Sequence, residues 1–286
     1  MIIFTDSAAN LSPEKAAQLK VQVVPFHLTF MGKTYRDGVD IYPKDLYKLY
    51  TEYPNEFTTT SQPSVGDYVS LFEQHADEEI LTISLSSGLS GAYSSAASAA
   101  HLLPNQKITV LDSRTVGPAL GWIVEVAARG ALAQWPLERI LQAVEQVKAN
   151  TFTMVGFSDL RHLINSGRVS HLKGIVASIL HVKPIISMND ADGRYKNVGQ
   201  AMTENKMAQR MVELVTARFG SQKLRMQVMH GDNLPGVETL RKAIRQSLDC
   251  VEQDLVAVTT VLGAHAGPTV IGLAAMPETL FASLTA

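Results

Sequence analysis

"TISLSSGLSGAYSSAASAA", Thr82 to Ala100, opens as a buried strand and then places seven serines within fifteen positions, Ser84 to Ser98, around two glycines. Ile80 to Leu85 reads as a strand, Ala92 to Leu102 as a helix of small residues, and Gly88 and Gly91 fall in the turn between them. That sets Ser86, Ser87 and Ser90 beside a helix N-terminus, where free backbone N–H groups and the positive end of the macrodipole favour an anion. The same order recurs on both sides. Met1 to Thr5 reads as a strand, Asp6, Ser7, Asn10 and Ser12 as a polar turn, and Pro13 opens a helix at its tolerated first position. Val21 to Pro25 and His27 to Phe30 read as strands, and Ser64 with Asp67 three residues on reads as a capping box. Lys107 to Leu111 is a further strand, followed by "DSRT" and a helix. Repeated strand, turn and helix predict an α/β fold with a mainly parallel sheet. In such sheets ligands bind outside the carboxyl ends of the strands, where Asp6, Ser7, Ser86, Ser87, Asp112 and Ser113 gather.

Two long helical patterns, Val116 to Ala133 and Leu137 to Lys148, precede a change of texture near residue 150. Residues 1–150 are therefore read as an N-terminal α/β domain carrying the polar loops, and 151–286 as a C-terminal α/β domain. In the second part Phe152 to Phe157 reads as a strand, "SDLRHLINSG" as a helix closed by Gly167, and "KPIISMNDADGRYKNVGQA" as a hairpin turning on Asp192-Gly193. A helix over Glu204 to Phe219, a strand over Arg225 to His230, a helix after Pro235 and strands at Leu255 to Thr260 and Val270 to Leu273 complete a mixed sheet.

Composition removes several function classes. The net charge of −2 gives no basic footprint for nucleic acid. Cys250 is the single cysteine, and the eight histidines show neither HExxH nor zinc spacing, so neither a disulfide nor a metal is expected. No apolar run reaches membrane-spanning length, and "MIIFTDS" is too short for a signal segment, which points to the cytoplasm. "GLSG" at Gly88 to Gly91 is one residue short of a nucleophile elbow, and neither a P-loop nor a dinucleotide fingerprint is present. The hydroxyl groups of Thr58 to Ser61 read as a loop before a helix, and His265 in "GAHAGPT" as a residue pinned in a tight turn after a buried strand. His75, His101, His162, His171 and His181 read as surface or helix-face residues, and Arg168 in "NSGRVS" as an acid partner, a helix cap or a ligand contact.

Taken together and in order, "TDS", "TTSQPS", "SLSSGLSGAY", "LDS", "LINSGRVS" and "GAHAGP" resemble the DegV family of bacterial fatty-acid-binding proteins over nearly the whole chain. The resemblance implies two α/β domains with a lipid tunnel between them and a long-chain fatty acid of the palmitate, stearate or oleate type as bound ligand. It implies a carboxylate held by Thr60 or Ser61 and by Ser86 or Ser87, with His265 close to the head group and Asp6, Ser7 and Arg168 in support. No catalytic residue and no other cofactor are implied. The partners implied are the fatty acid, a dihydroxyacetone-kinase-like fatty acid kinase that phosphorylates the presented carboxylate and, transiently, a membrane surface. One departure is that the family often has Gly-Pro-Gly where this chain has Gly267-Pro268-Thr269. An acyl chain of about fourteen methylenes, at roughly 0.8 kcal/mol each, gains on the order of 11 kcal/mol on burial against association costs of several kcal/mol. The tail is thus expected to supply affinity and the hydroxyls orientation. A histidine beside the bound anion is expected to have a raised pKa wherever that charge outweighs burial. Two alternatives stay open: an enzyme acting on a small anionic substrate, and a lipid-sensing regulatory protein.

Overall fold

A computed structural model describes residues 1–168, 182–188 and 191–285. Its strands up to residue 150 are β1 (Ile2–Asp6), β2 (Val21–Val24), β3 (His27–Phe30), β4 (Lys33–Arg36), β5 (Thr59–Ser61), β6 (Ile80–Ser84) and β7 (Ile108–Asp112). Beyond it come β8 (Phe152–Gly156), β9 (Lys183–Met188), β10 (Tyr195–Ala201), β11 (Leu224–His230), β12 (Cys250–Glu252), β13 (Val256–Ala257) and β14 (Ile271–Pro277). The order β2-β1-β6-β7 forms a parallel sheet, as the repeated strand, turn and helix predict. β4-β3-β5 form a small antiparallel sheet beside it. The strands after residue 150 form one mixed sheet in the order β10-β9-β8-β14-β11-β12, with β13 also paired to β11.

β1 and β6 are apolar on both faces because helices cover both. Phe4 and Ile80 pack with Tyr68, Phe72, Ala96 and Ala99 on one side. Ile3, Leu81 and Ile83 meet Leu120 and Ile123 on the other. The mixed sheet buries one face on the helices Glu204–Phe219 and Leu234–Ser247. Its other face carries Phe157, Ile186, Met229 and Val270, and packs against Leu262 and Ala266 of the helix Thr260–Ala266.

The helix Pro118–Leu132 lies among the residues of the larger core cluster and buries a carboxylate, Glu125, which is 4% exposed. Lys15 and Arg129 each reach it at 2.8 Å, and Arg225 lies 3.8 Å away. Burial works against its charge, but the hydrogen bonds from Lys15 and Arg129 outweigh it and hold the carboxyl below its ordinary pKa. Arg225 also stacks 3.9 Å from the ring of Phe281, so one ionic cluster links the first half, β11 and the C-terminal helix Glu278–Thr285.

Two local expectations are corrected. "TTTSQPS" is not loop throughout, since Thr59–Ser61 pair with Thr29, Leu28 and His27 of β3. The expected strand Leu255 to Thr260 shrinks to β13, and the next residues form the helix Thr260–Ala266, which places His265 in a last helical turn rather than a turn after a strand. The cause lies far off in the chain. Asp37 accepts a hydrogen bond from the Thr260 N–H at 3.0 Å, and Asn10 accepts one from the Thr259 N–H at 3.1 Å, so the cap comes from residues more than two hundred positions away. Gly263 lets this helix lie against the Tyr47 hydroxyl, where a Cβ would be 2.6 Å away, and Gly267 ends it at φ +75°.

The predicted hairpin is present as antiparallel β9 and β10, and its turn docks on the serine loop. Ser86 donates to the Gly193 carbonyl at 2.6 Å, a Cβ on Gly193 would collide with the Ser86 Oγ, and one on Gly88 would collide with the Asp192 carbonyl oxygen. Gly193 and Gly220 share a positive φ, +65° and +62°, but Gly220 has open space around it. Chemical denaturation is expected to show a loss of about 1 to 2 kcal/mol for Gly220→Ala, from φ alone. Gly193→Ala should lose at least about 1 kcal/mol more because the loop and the hairpin must also separate; equal losses would contradict the close contact.

Candidate head-group pocket and apolar cavity

The strand order of the parallel sheet reverses between β1 and β6, which makes the outside of their carboxyl ends the expected ligand position. A small pocket opens there, walled by Ala8 after β1 and by Leu85, Leu89 and Ser90 after β6. Thr60 reaches it from β5, His265 from the helix Thr260–Ala266, and Arg168 from the residue after Gly167, which ends the helix Arg161–Asn165 at φ +74°. The structure thus brings together Thr60, His265 and Arg168, three candidates separated by up to 205 residues. Thr60 Oγ1 and His265 Nε2 are 2.9 Å apart.

Burial drives the imidazole of His265 down to about 3, and the positive charge of Arg168 adds to the effect. The ring is therefore neutral near pH 7. With Nε2 protonated, its N–H donates to Thr60 Oγ1 and the Thr60 proton is released toward the pocket. Tyr195 of β10 lines the same pocket. Burial pushes its phenol up to about 12, Arg168 opposing, so it remains a hydroxyl donor.

The remaining candidates are engaged elsewhere. Ser61 is exposed on β5, one residue from Thr60 and therefore on the opposite face of the strand. Ser86 is buried and holds the hairpin. Ser87 is exposed and donates to Asp112 at 2.6 Å. Asp6 accepts from the Leu85 and Ala8 N–H groups at 2.8 and 3.1 Å; burial raises its pKa to about 7 against those bonds, with the charge of Asp37 adding. Ser7 accepts from the Phe26 N–H at 3.1 Å, and both Asp6 and Ser7 line an outer groove rather than the pocket. His162 is buried against Tyr50, with ring centroids 4.4 Å apart, and so is no surface residue. His171 and His181 lie outside the described residues.

Ser90, placed by the sequence at an anion-favouring helix start, lines the pocket, while two further polar residues of the pocket, Gln62 and Tyr195, were not expected as head-group contacts. Ser90 and Gln62 stand within quoted motifs, and the spacing Ser-Gly after Leu89 was the available signal. Gln62 rests on Gly91, where a Cβ would be 2.9 Å from its amide nitrogen, so this glycine opens the helix start to the Gln62 side chain. Nothing local marks Tyr195, which arrives only through the docking of the hairpin.

Behind the pocket lies an apolar cavity of about 70 Å³ that shares Val116, Tyr195, Leu262 and His265 with it. The cavity runs along β8 from Phe157 to Thr153, roughly 13 Å at 3.3 Å per residue. Met154, Ile186, Met188, Met229 and Val270 make its walls apolar. A polar pocket that shares a wall with an apolar cavity suits an amphiphile with a small anionic head. Among the described residues no group of His, Cys, Asp and Glu could hold a metal ion, and no helix is long and apolar enough to cross a membrane.

Comparison with known proteins finds relatives over nearly the whole chain. The chain is 32% identical over 275 residues to a DegV domain-containing protein of Listeria innocua, covering 95% of this chain and 96% of the relative. Its fold matches a fatty-acid-binding DegV family protein of Thermus thermophilus with a TM-score of 0.88 at 26% identity, over 96% of this chain and 99% of the other. It matches a stearic acid-binding protein of Eubacterium ventriosum with a TM-score of 0.87 at 26% identity, over 99% and 100%. The family model described as "Uncharacterised protein, DegV family" matches residues 1–278, and the chain belongs to the DegV family.

Proposed function

We propose that the protein binds a long-chain fatty acid, its tail entering along β8 through the small apolar cavity, which widens on binding to take the chain, and its carboxylate in the pocket of Thr60, Ser90, Arg168, Tyr195 and His265. The observation that carries the proposal is the Thr60–His265 pair with Arg168 at the polar end of an apolar channel. The guanidinium supplies the positive charge for the carboxylate, and the hydroxyls supply directed donors. The fatty-acid-binding relatives support the choice of ligand.

Binding without catalysis is the better account of the histidine. A threonine hydrogen-bonded to a histidine has the outline of a nucleophile and its base, but a base serves best with a pKa near the working pH, and burial holds His265 near 3. Arg168 and Gln62 are exposed, so the head group lies at the surface and not at the bottom of the channel. Such a head group suits a carrier that presents the carboxylate to a partner enzyme, of which a fatty acid kinase is the example the family suggests.

Organic extraction of the purified protein is expected to yield a C16 or C18 acid, and the delipidated protein should bind palmitate or oleate saturably; absence of both would refute the proposal. In calorimetry Thr60→Val and Arg168→Gln should each weaken binding by about 1 to 2 kcal/mol, the upper end being reduced for Arg168 by its exposure. Ser87→Ala should be neutral within about 0.5 kcal/mol, because that hydroxyl serves Asp112. A neutral Thr60 variant with a defective Ser87 variant would move the head group to the outer serine.

The pH dependence follows from the sign of linkage. An anion that raises the His265 pKa makes binding tighten as pH falls through the bound value. Starting from about 3, that window lies below the range in which a fatty acid is fully ionised. Palmitate affinity should therefore be flat between pH 5.5 and 8. A steady tightening toward pH 5.5 that His265→Gln abolishes would show a charged imidazole in the complex.

A further inference from the structure

The apolar cavity has a second neighbour. Thr153, Ser187 and Met188 line both the cavity and a cleft of about 380 Å³ that opens between the helix Leu137–Asn150 and strands β8 to β10. This cleft and the head-group pocket have no lining residue in common. The apolar cavity therefore shares a different wall with each polar site, His265, Tyr195, Leu262 and Val116 with the pocket, and Thr153, Ser187 and Met188 with the cleft.

The cleft is cationic. Arg114, Lys148, Lys196 and Arg218 line it, and the one acidic side chain among its described lining residues is Glu145. Glu145 is 62% exposed and pairs with Lys148 at 2.8 Å. Lys148 also donates to the Asp112 carbonyl at 3.3 Å, and Arg218 donates to the Ala149 carbonyl at 3.2 Å with its guanidinium 5.1 Å from the Phe152 ring, so both are held over the opening. Four cations against one acid, on the far side of a wall of the apolar cavity, form an electrostatic trap for an anion carried on a hydrocarbon chain. The end of a plain acyl chain gains nothing from such surroundings.

Building on the acyl-binding proposal, we propose that this cleft receives the far end of the ligand, and that the protein accepts long-chain acids bearing a second, ω-terminal carboxylate. A channel that closed in hydrocarbon would reject such a ligand, because it would bury a carboxylate without a partner. A channel that opens onto Lys196, Lys148 and Arg218 keeps that group ionised and hydrogen-bonded.

The test is calorimetric titration of the delipidated full chain with palmitic acid and with hexadecanedioic, octadecanedioic and eicosanedioic acids. At least one diacid should bind within about tenfold of palmitate. Lys196→Gln and Arg218→Gln should each weaken that diacid by about tenfold, the effect of one charged hydrogen bond, and change palmitate less than about twofold. Palmitate binding with every diacid at least about a hundredfold weaker would overturn the second site, as would a tightly bound diacid indifferent to both substitutions. Failure of palmitate itself would instead remove the acyl-binding proposal on which this one rests.

Discussion

The hydrogen bond between Thr60 and His265 joins residues 205 positions apart, and the surrounding elements bring these two groups to one partly buried place. Thr60 is held by a three-residue strand on the edge of a small sheet. His265 is held by a short helix whose first N–H groups are capped by Asp37 and Asn10 from the other half of the chain. Desolvation of the imidazole is the physical consequence. A neutral ring that shares a proton with a hydroxyl can orient a carboxylate, while Arg168 supplies the charge that the ring lacks.

The serine loop serves this arrangement mostly from outside it. Ser86 fastens the hairpin turn at Gly193, and Ser87 fastens Asp112, which also accepts from the Arg114 N–H at 3.0 Å. The carboxyl ends of the parallel strands do gather the polar residues that the topology predicts, but there the groups satisfy one another. Asp6 holds Leu85, and Ser7 holds Phe26. Ser90, at the start of the helix Ala92–Leu102, remains on the pocket side. A cluster of hydroxyls at a helix N-terminus is thus divided between groups bonded within the fold and one that lines the pocket, and the paths of other segments decide which serine does which.

Those paths explain what was legible in the sequence. The parallel sheet follows from local signals, the apolar strands, polar turns and Pro13 or Ser64 at helix starts, and these survive folding because each is satisfied within its own unit. The hairpin at Asp192-Gly193 was legible for the same reason. The helix at Thr260–Ala266 was not, because its cap is supplied by Asp37. Within the motif quoted for the head group, alternation along β5 separates Thr60 from Ser61, but which of them faces inward depends on the pairing of Thr60 with Leu28. Tyr195 was out of reach altogether, since the docking of the hairpin turn on Ser86 and Gly88 brings β10 over the pocket.

The most direct measurement is a crystal structure of the protein with palmitate. The carboxylate should lie within hydrogen-bonding distance of Thr60 Oγ1 and the Arg168 guanidinium, with the tail passing Leu262 and following β8 toward Thr153. A carboxylate seated at Ser87 and Asp112, or an acyl chain in the outer groove beside Asp6 and Ser7, would contradict the account.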